Sequence, residues 1–203
     1  LERLAPVSDQ AWDGLQAYAN LLAHWQQTLN LVANSTISGL WDRHILDSWQ
    51  LLPLINAPGS TTDGALVDLG SGAGLPGIIL SVAQVPNVHL VEANHRKAAF
   101  LTAAAEETGA NVSIHACRIE KFDCAPIGKV SVITARALAP LSGLLSLALP
   151  LCTADTRLIF PKGRRWQEDL ANAGKRFRFD AKTTLSVTDP EAMILEIRCL
   201  AHR

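Results

Sequence analysis

The chain has 203 residues, 48% of them hydrophobic and 18% charged, with a formal net charge of −1. That length suits one full α/β core with a small appendage, and the composition excludes a disordered chain. No apolar run is long enough to span a bilayer, because the longest, around residues 138–152, is broken by Pro140, Gly143 and Pro150.

Residues 8–29 predict an amphipathic helix, capped by Ser8 or Asp9, with Trp12, Leu15, Ala19, Leu22, Trp25 and Leu29 at three- and four-residue steps. A second helix is expected over 38–52, closed by Pro53. Two helices before any strand form a cap, residues 1–58, on a domain of residues 59–203, the two making one compact unit. Four of the five tryptophans lie in the cap, where we expect them to dock it on the core. Residues 56–64 read as a loop. Strands are then expected at 65–69, 87–92, 111–115, 130–134, 156–160, 182–187 and 192–199. Helices are expected at 75–84, 95–108, 139–149 and 164–174. Strand–helix alternation implies a mostly parallel sheet covered on both faces. The last two strands are joined only by Thr188-Asp189-Pro190-Glu191, too short for a parallel crossover, so they should form an antiparallel hairpin.

The chemistry centres on residues 65–77, where the apolar run Ala65-Leu66-Val67-Asp68-Leu69 opens into Gly70-Ser71-Gly72-Ala73-Gly74-Leu75-Pro76-Gly77. Glycines let the backbone turn sharply against a ligand. Gly72, Gly74 and Gly77 match a dinucleotide fingerprint. Glu92, 20 residues after Gly72, stands where a carboxylate accepts from ribose hydroxyls. NAD and S-adenosylmethionine both satisfy that pattern. Asp68 separates them: its charge repels a pyrophosphate and favours the ammonium and sulfonium of S-adenosylmethionine. No Gly-Lys-Ser/Thr follows the glycines, which excludes a Walker loop, and Ser71 lacks the spacing of a nucleophile elbow.

The four cysteines form no Cys-x-x-Cys pair and the histidines are scattered, so neither a metal site nor a disulfide framework is expected, and a reducing cytoplasm fits best. Charge is divided unevenly. Residues 1–95 carry 2 Lys/Arg against 8 Asp/Glu, and residues 96–203 carry 16 against 11. Eight basic residues lie within 157–182 against three acidic ones. Such a run is either a solvated face or a patch for a polyanion.

For methyl transfer, a carbon acceptor requires a cysteine nucleophile, and none here follows Pro or Thr. The Thr134–Leu138 stretch lacks the Asn/Asp-Pro-Pro-aromatic motif used on exocyclic amines. A ring nitrogen with a free lone pair needs only alignment and desolvation, so no catalytic dyad is expected.

Several segments together resemble the RsmG (also called GidB) family. They are Asn30-Leu31-Val32, Arg43-His44-Ile45-Leu46-Asp47-Ser48, Asp68 to Gly77, Arg96 to Leu101, Arg118 to Phe122, Arg136-Ala137-Leu138 and Pro161-Lys162-Gly163. The resemblance covers nearly the whole chain in order. It implies a class I S-adenosylmethionine-dependent methyltransferase, with a Rossmann-like, mostly parallel sheet, a C-terminal antiparallel hairpin and a small N-terminal helical cap. It implies methylation of guanine N7 in bacterial 16S ribosomal RNA near the decoding centre; beside it, we expect a cytoplasmic monomer without a metal. It implies cofactor contacts at Gly70, Leu75, Ile119, Glu120 and Arg136, with Asp68, Gly72 and Glu92 placed by the general fold. Ala73 stands where many members carry Pro, and Val32 where Thr is common. For Arg136 we favour a contact to the cofactor carboxylate or the RNA over an ion pair. Lys162, Arg164 and Arg165 are candidate RNA contacts. His44 and Asp47, one helical turn apart, are read as a structural pair, and His115 as non-catalytic. The rival readings are a methyltransferase acting on a small molecule or protein, and a non-catalytic ribosome-binding protein.

Overall fold

The structure, a computed structural model, describes residues 1–57 and 63–203. Most of the expected loop at 56–64 therefore lies outside the described residues. Helix α1, Asp9–Trp25, starts where the Ser8 hydroxyl accepts from the Ala11 amide at 3.1 Å. Its buried stripe is Ala11, Leu15, Tyr18 and Leu22. Trp12 lies off that stripe. The helix ends four residues before the expected Leu29 because Gln26 turns inward. Its Oε1 accepts from the Leu31 and Val32 amides and its Nε2 donates to the Val32 carbonyl, fixing Asn30-Leu31-Val32 in an irregular path.

The expected second helix is broken in three. Residues Trp41–Leu46 form a π-helical stretch, which continues into α2, Asp47–Trp49. After a turn comes α3, Leu52–Ile55. Pro53 sits in the first turn of α3, where its missing N–H costs nothing, and so opens a helix where it was expected to close one. The tryptophans divide likewise. Trp49 is buried and Trp25 packs edge-on against Phe100. Trp12 and Trp41 instead face solvent, 46% and 36% exposed, with rings 5.3 Å apart, so these two do not dock the cap.

The rest follows the expected alternation. In order come β1 Ala65–Leu69, α4 Gly77–Val82, β2 Val88–Val91, α5 His95–Thr108, β3 Val112–His115 and β4 Val130–Thr134. These are followed by α6 Leu141–Ala148, β5 Arg157–Lys162, α7 Trp166–Ala173, β6 Phe177–Leu185 and β7 Met193–His202. The strands form one sheet in the order β3-β2-β1-β4-β5-β7-β6. The first five are parallel, and β7 runs antiparallel to both β5 and β6. The last hairpin is antiparallel as expected, but β6 begins at Phe177, five residues before the expected 182.

Two apolar layers cover the sheet. One joins α1 and the cap residues Ile45, Trp49, Leu52 and Ile55 to Ile78, Leu90 and Phe100. The other packs α6 and Phe177 on Val67, Ile133 and Phe160. The first layer is continuous from the cap into the sheet domain. The order reverses beside β1, between its neighbours β2 and β4, and that is where an open α/β sheet leaves a crevice at its carboxyl edge.

Candidate active site

The glycine loop leaves β1 at this crevice. Gly70 and Gly72 both hold positive φ, +65° and +55°, and a Cβ on Gly70 would come within 2.6 Å of the Leu138 side chain. A residue with a side chain is strained in such a backbone. The Gly72 amide donates to Glu92 Oε2 at 2.8 Å, and the Asn94 amide donates to Oε1 at 2.7 Å. Glu92 thus ties the loop to the end of β2 and keeps lone pairs free on each oxygen. From the other side, the buried Tyr18 hydroxyl of α1 donates to the Ala73 carbonyl at 2.7 Å. Burial pushes the Tyr18 phenol far above its ordinary pKa, so it remains a donor.

A cavity of about 900 Å³ opens over this loop. Seven of the eight expected cofactor residues line it: Gly70, Gly72, Leu75, Glu92, Ile119, Glu120 and Arg136. The eighth, Asp68, does not. It has no exposed surface. It lies in register with Thr134 of β4, whose hydroxyl donates to Asp68 Oδ1 at 2.7 Å, while Oδ2 is buried without a hydrogen-bond partner. Burial raises its pKa to about 6, against the opposing pull of Thr134, Ser71, the Gly77 amide and Arg136. Asp68 therefore fastens β1 to β4 beneath the loop, and its charge does not face the cavity.

The opposite wall comes from the cap. Arg136, after β4, donates to Asp47 Oδ2 at 3.2 Å, to the Arg43 carbonyl at 3.2 Å and to His44 Nδ1 at 3.0 Å. A guanidinium only donates, so Nδ1 accepts and Nε2 carries the proton. Nε2–H then donates to Thr36 Oγ1 at 2.7 Å, and Thr36 donates to the Ala33 carbonyl at 2.6 Å. Burial and the charges of Arg136 and Arg43 lower the His44 pKa to about 4, which keeps the ring neutral. Asp47 also accepts from Thr188 at 2.8 Å and from Gln50 at 2.9 Å. The ion pair set aside for Arg136 is thus present, and Arg136 lines the cavity as well. The His44 and Asp47 side chains are not paired with each other among the described bonds: each holds Arg136, and both line the cavity.

Ala137 follows in a left-handed conformation, φ +52°, which an L-residue adopts only when its surroundings impose it. It stands at the junction with a second cavity of about 260 Å³, walled on its far side by the β6–β7 connection. A third hollow, about 600 Å³, continues past Arg164 and Arg165, both exposed. Lys162 is less free than expected. It pairs with Asp169 at 2.6 Å and donates to the Ala139 carbonyl. Arg157 leaves the basic surface altogether, being buried against Glu196 at 2.9 Å. His115 bonds to His89 at 3.0 Å across β2 and β3. Among the described residues, none of the four cysteines lines these cavities.

Residues 12–196 match the model of a family described as rRNA small subunit methyltransferase G. A ribosomal RNA small subunit methyltransferase G of Granulibacter bethesdensis is 45% identical over 94% of this chain and 86% of its own length.

The chain belongs to the rRNA small subunit methyltransferase G family.

Another member of this family, from Rhizobium meliloti, is 46% identical over 97% of this chain and 93% of its own. Among solved structures, a SAM-dependent methyltransferase from Aquifex aeolicus aligns with a TM-score of 0.56 at 14% identity, covering 79% of this chain and 92% of its own. The sheet order and these likenesses are those of the class I methyltransferase fold. Within this chain, Arg43, His44 and Asp47 are the wall that holds Arg136, and the glycine loop lines the same cavity.

Proposed function

We propose that this chain transfers a methyl group from S-adenosylmethionine to N7 of a guanine in bacterial 16S ribosomal RNA, near the decoding centre. Family membership across residues 12–196, joined to a ligand-sized cavity at the switch point, carries the reading. The residues present fit the cofactor. Glu92 has acceptor capacity for ribose hydroxyls, Leu75 and Ile119 offer apolar surface for a base, and Arg136 offers a cation for a carboxylate. Bound there, S-adenosylmethionine supplies an electrophilic methyl carbon on a sulfonium.

The protein's part is positioning. Gly70 and Gly72 give close backbone approach, and Tyr18 and Glu92 hold the loop still. The Arg136–His44–Asp47 network fixes the far wall. N7 of guanine carries a lone pair and no proton, so no general base is required. Alignment and exclusion of water supply the acceleration. Exposed Arg164 and Arg165 beside the cavity mouth suit RNA phosphates, and binding through them weakens with salt. We place the reaction in the cytoplasm, with the chain a monomer. Among the described residues no helix is long and apolar enough to cross a membrane.

Mass spectrometry of 16S rRNA from cells with and without the gene tests the reading. Loss of one 7-methylguanosine on deletion is expected. An unchanged content, or transfer of labelled methyl to a small molecule or protein but not to rRNA, overturns it.

A further inference from the structure

We propose that Asp189, at the tip of the β6–β7 connection, recognises the N1–H and N2–H edge of the target guanine and stabilises the charge that methylation places on the ring. This rests on the guanine-N7 reading above.

The second cavity shares Arg43, Asp47, Arg136 and Ala137 with the cofactor cavity, so the two adjoin there, and a base held in the second reaches the methyl donor past the edge of that shared wall. Its volume of about 260 Å³ lies below the roughly 300–1,000 Å³ of clefts for drug-sized ligands, a size for one base rather than a nucleotide. Guanine carries its acceptors, N7 and O6, on one edge and its donors, N1–H and the N2 amino group, on another. With N7 turned to the shared wall, the donor edge meets the far wall. Carboxylates are the side chains that pair with two adjacent N–H donors.

Two carboxylates line this cavity, and they are not equivalent. Asp47 is the more engaged, its Oδ1 accepting from Gln50 and Thr188 at 2.9 and 2.8 Å and its Oδ2 paired with Arg136 at 3.2 Å. Asp189 accepts one bond on Oδ1, from the Glu191 amide at 3.0 Å. Its Oδ2 is ion-paired with Arg43 Nη1 at 3.6 Å, too long for a hydrogen bond and exposed on both sides (52% and 35%), a weak pair that leaves its lone pairs open to a base's N–H donors. It lines the second cavity but not the cofactor cavity, whereas Asp47 lines both. Asp189 is therefore the carboxylate with both the position and the lone pairs.

Position on that edge has a kinetic consequence. As the new N–C bond forms and the C–S bond breaks, positive charge passes from sulfur to the purine. The N1–H becomes a stronger donor, and its bond to a carboxylate tightens in the transition state more than in the ground state. That difference accelerates the step itself.

The test compares the wild type with Asp189→Asn and Asp189→Ala, using S-adenosylmethionine and small ribosomal subunits from cells lacking the gene. Asparagine keeps an oxygen for the Glu191 amide, so the turn survives, while the charge and the second acceptor oxygen are lost. The single-turnover rate should fall at least tenfold in both variants. RNA affinity should fall no less in the asparagine variant than in the alanine one, because its amide N–H groups meet the guanine donors, and S-adenosylmethionine affinity by calorimetry should stay within twofold of wild type. Wild-type single-turnover rates in either variant overturn the assignment while leaving the guanine-N7 reading intact. Loss confined to cofactor affinity overturns it as well. A wild type that forms no 7-methylguanosine on this substrate refutes the functional reading, and this assignment falls with it.

Discussion

Asp68 makes a prediction that opposes the usual behaviour of a carboxylate at a strand end. It is fully buried, it holds one short bond from Thr134, and its second oxygen has no hydrogen-bond partner. Its pKa rises from 3.8 to about 6 on folding, chiefly through burial. Below pH 3.8 the carboxyl is protonated in both states and contributes nothing. Between 3.8 and 6 the unfolded chain releases the proton while the folded chain keeps it, so stability falls as pH rises. Above pH 6 the full cost is present, about 3 kcal/mol at 1.36 kcal/mol per pH unit. About 2 kcal/mol of it accrues between pH 4.5 and pH 8. Asp68→Asn removes that titration and keeps an acceptor for Thr134. Urea unfolding of both proteins at several pH values measures the effect. The asparagine variant should gain about 2 kcal/mol on the wild type between pH 4.5 and pH 8, whatever constant offset the amide introduces. A stability difference that does not change with pH refutes the burial argument. A variant whose gap narrows as pH rises shows Asp68 to be stabilised as an anion, and returns its charge to the cofactor.

Tyr18→Phe leaves the Ala73 carbonyl without its donor from α1 and should cost about 1–3 kcal/mol in urea unfolding, with weaker S-adenosylmethionine binding by calorimetry. Unchanged cofactor affinity would show that α1 does not set the loop. Gly70→Ala puts a Cβ at φ +65° and against Leu138, so cofactor affinity should drop about tenfold or more, from roughly 1–2 kcal/mol of strain. A fully active Gly70→Ala enzyme would mean that the loop adopts another backbone when occupied.

The sheet was legible in the sequence wherever burial was complete. β1 and β4 are buried along their whole length, so their apolar runs start and stop at the strand ends. The start of β6 was legible too, since Phe177, Phe179 and Ala181 alternate with Arg178, Asp180 and Lys182 as a half-exposed edge strand should, and the expected start at 182 leaves that alternation out. The π-helical stretch was hidden, since α and π turns bury nearly the same apolar positions over six residues. At the site, Gly70, Gly72 and Glu92 could be placed because backbone geometry ties them to the loop. The direction of Asp68 could not, because a strand buried on both faces gives no sign of which side faces a ligand. Asp189 carries no local signal at all. Only the fold brings the tip of the last hairpin to the end of β4.

The cap is half of the site rather than an accessory to it. Arg136 lies in the sheet domain, but every group that orients it, Arg43, His44 and Asp47, lies in the cap. Asp47 in turn is held by Thr188 from the β6–β7 connection. The cap thus bridges the cofactor cavity and the wall on which Asp189 stands. A cation on the methyl donor and a cation on the methylated base are the two charges the proposed reaction must accommodate. Asp47 is paired with Arg136 and His44 is neutral, chiefly through burial, so Arg43 leaves the shared boundary with a positive charge that Asp189 offsets at 3.6 Å. On the proposed reading, charge developing on the base is balanced by Asp189, which keeps acceptor capacity. That pairing favours the transition state over the ground state without a proton transfer.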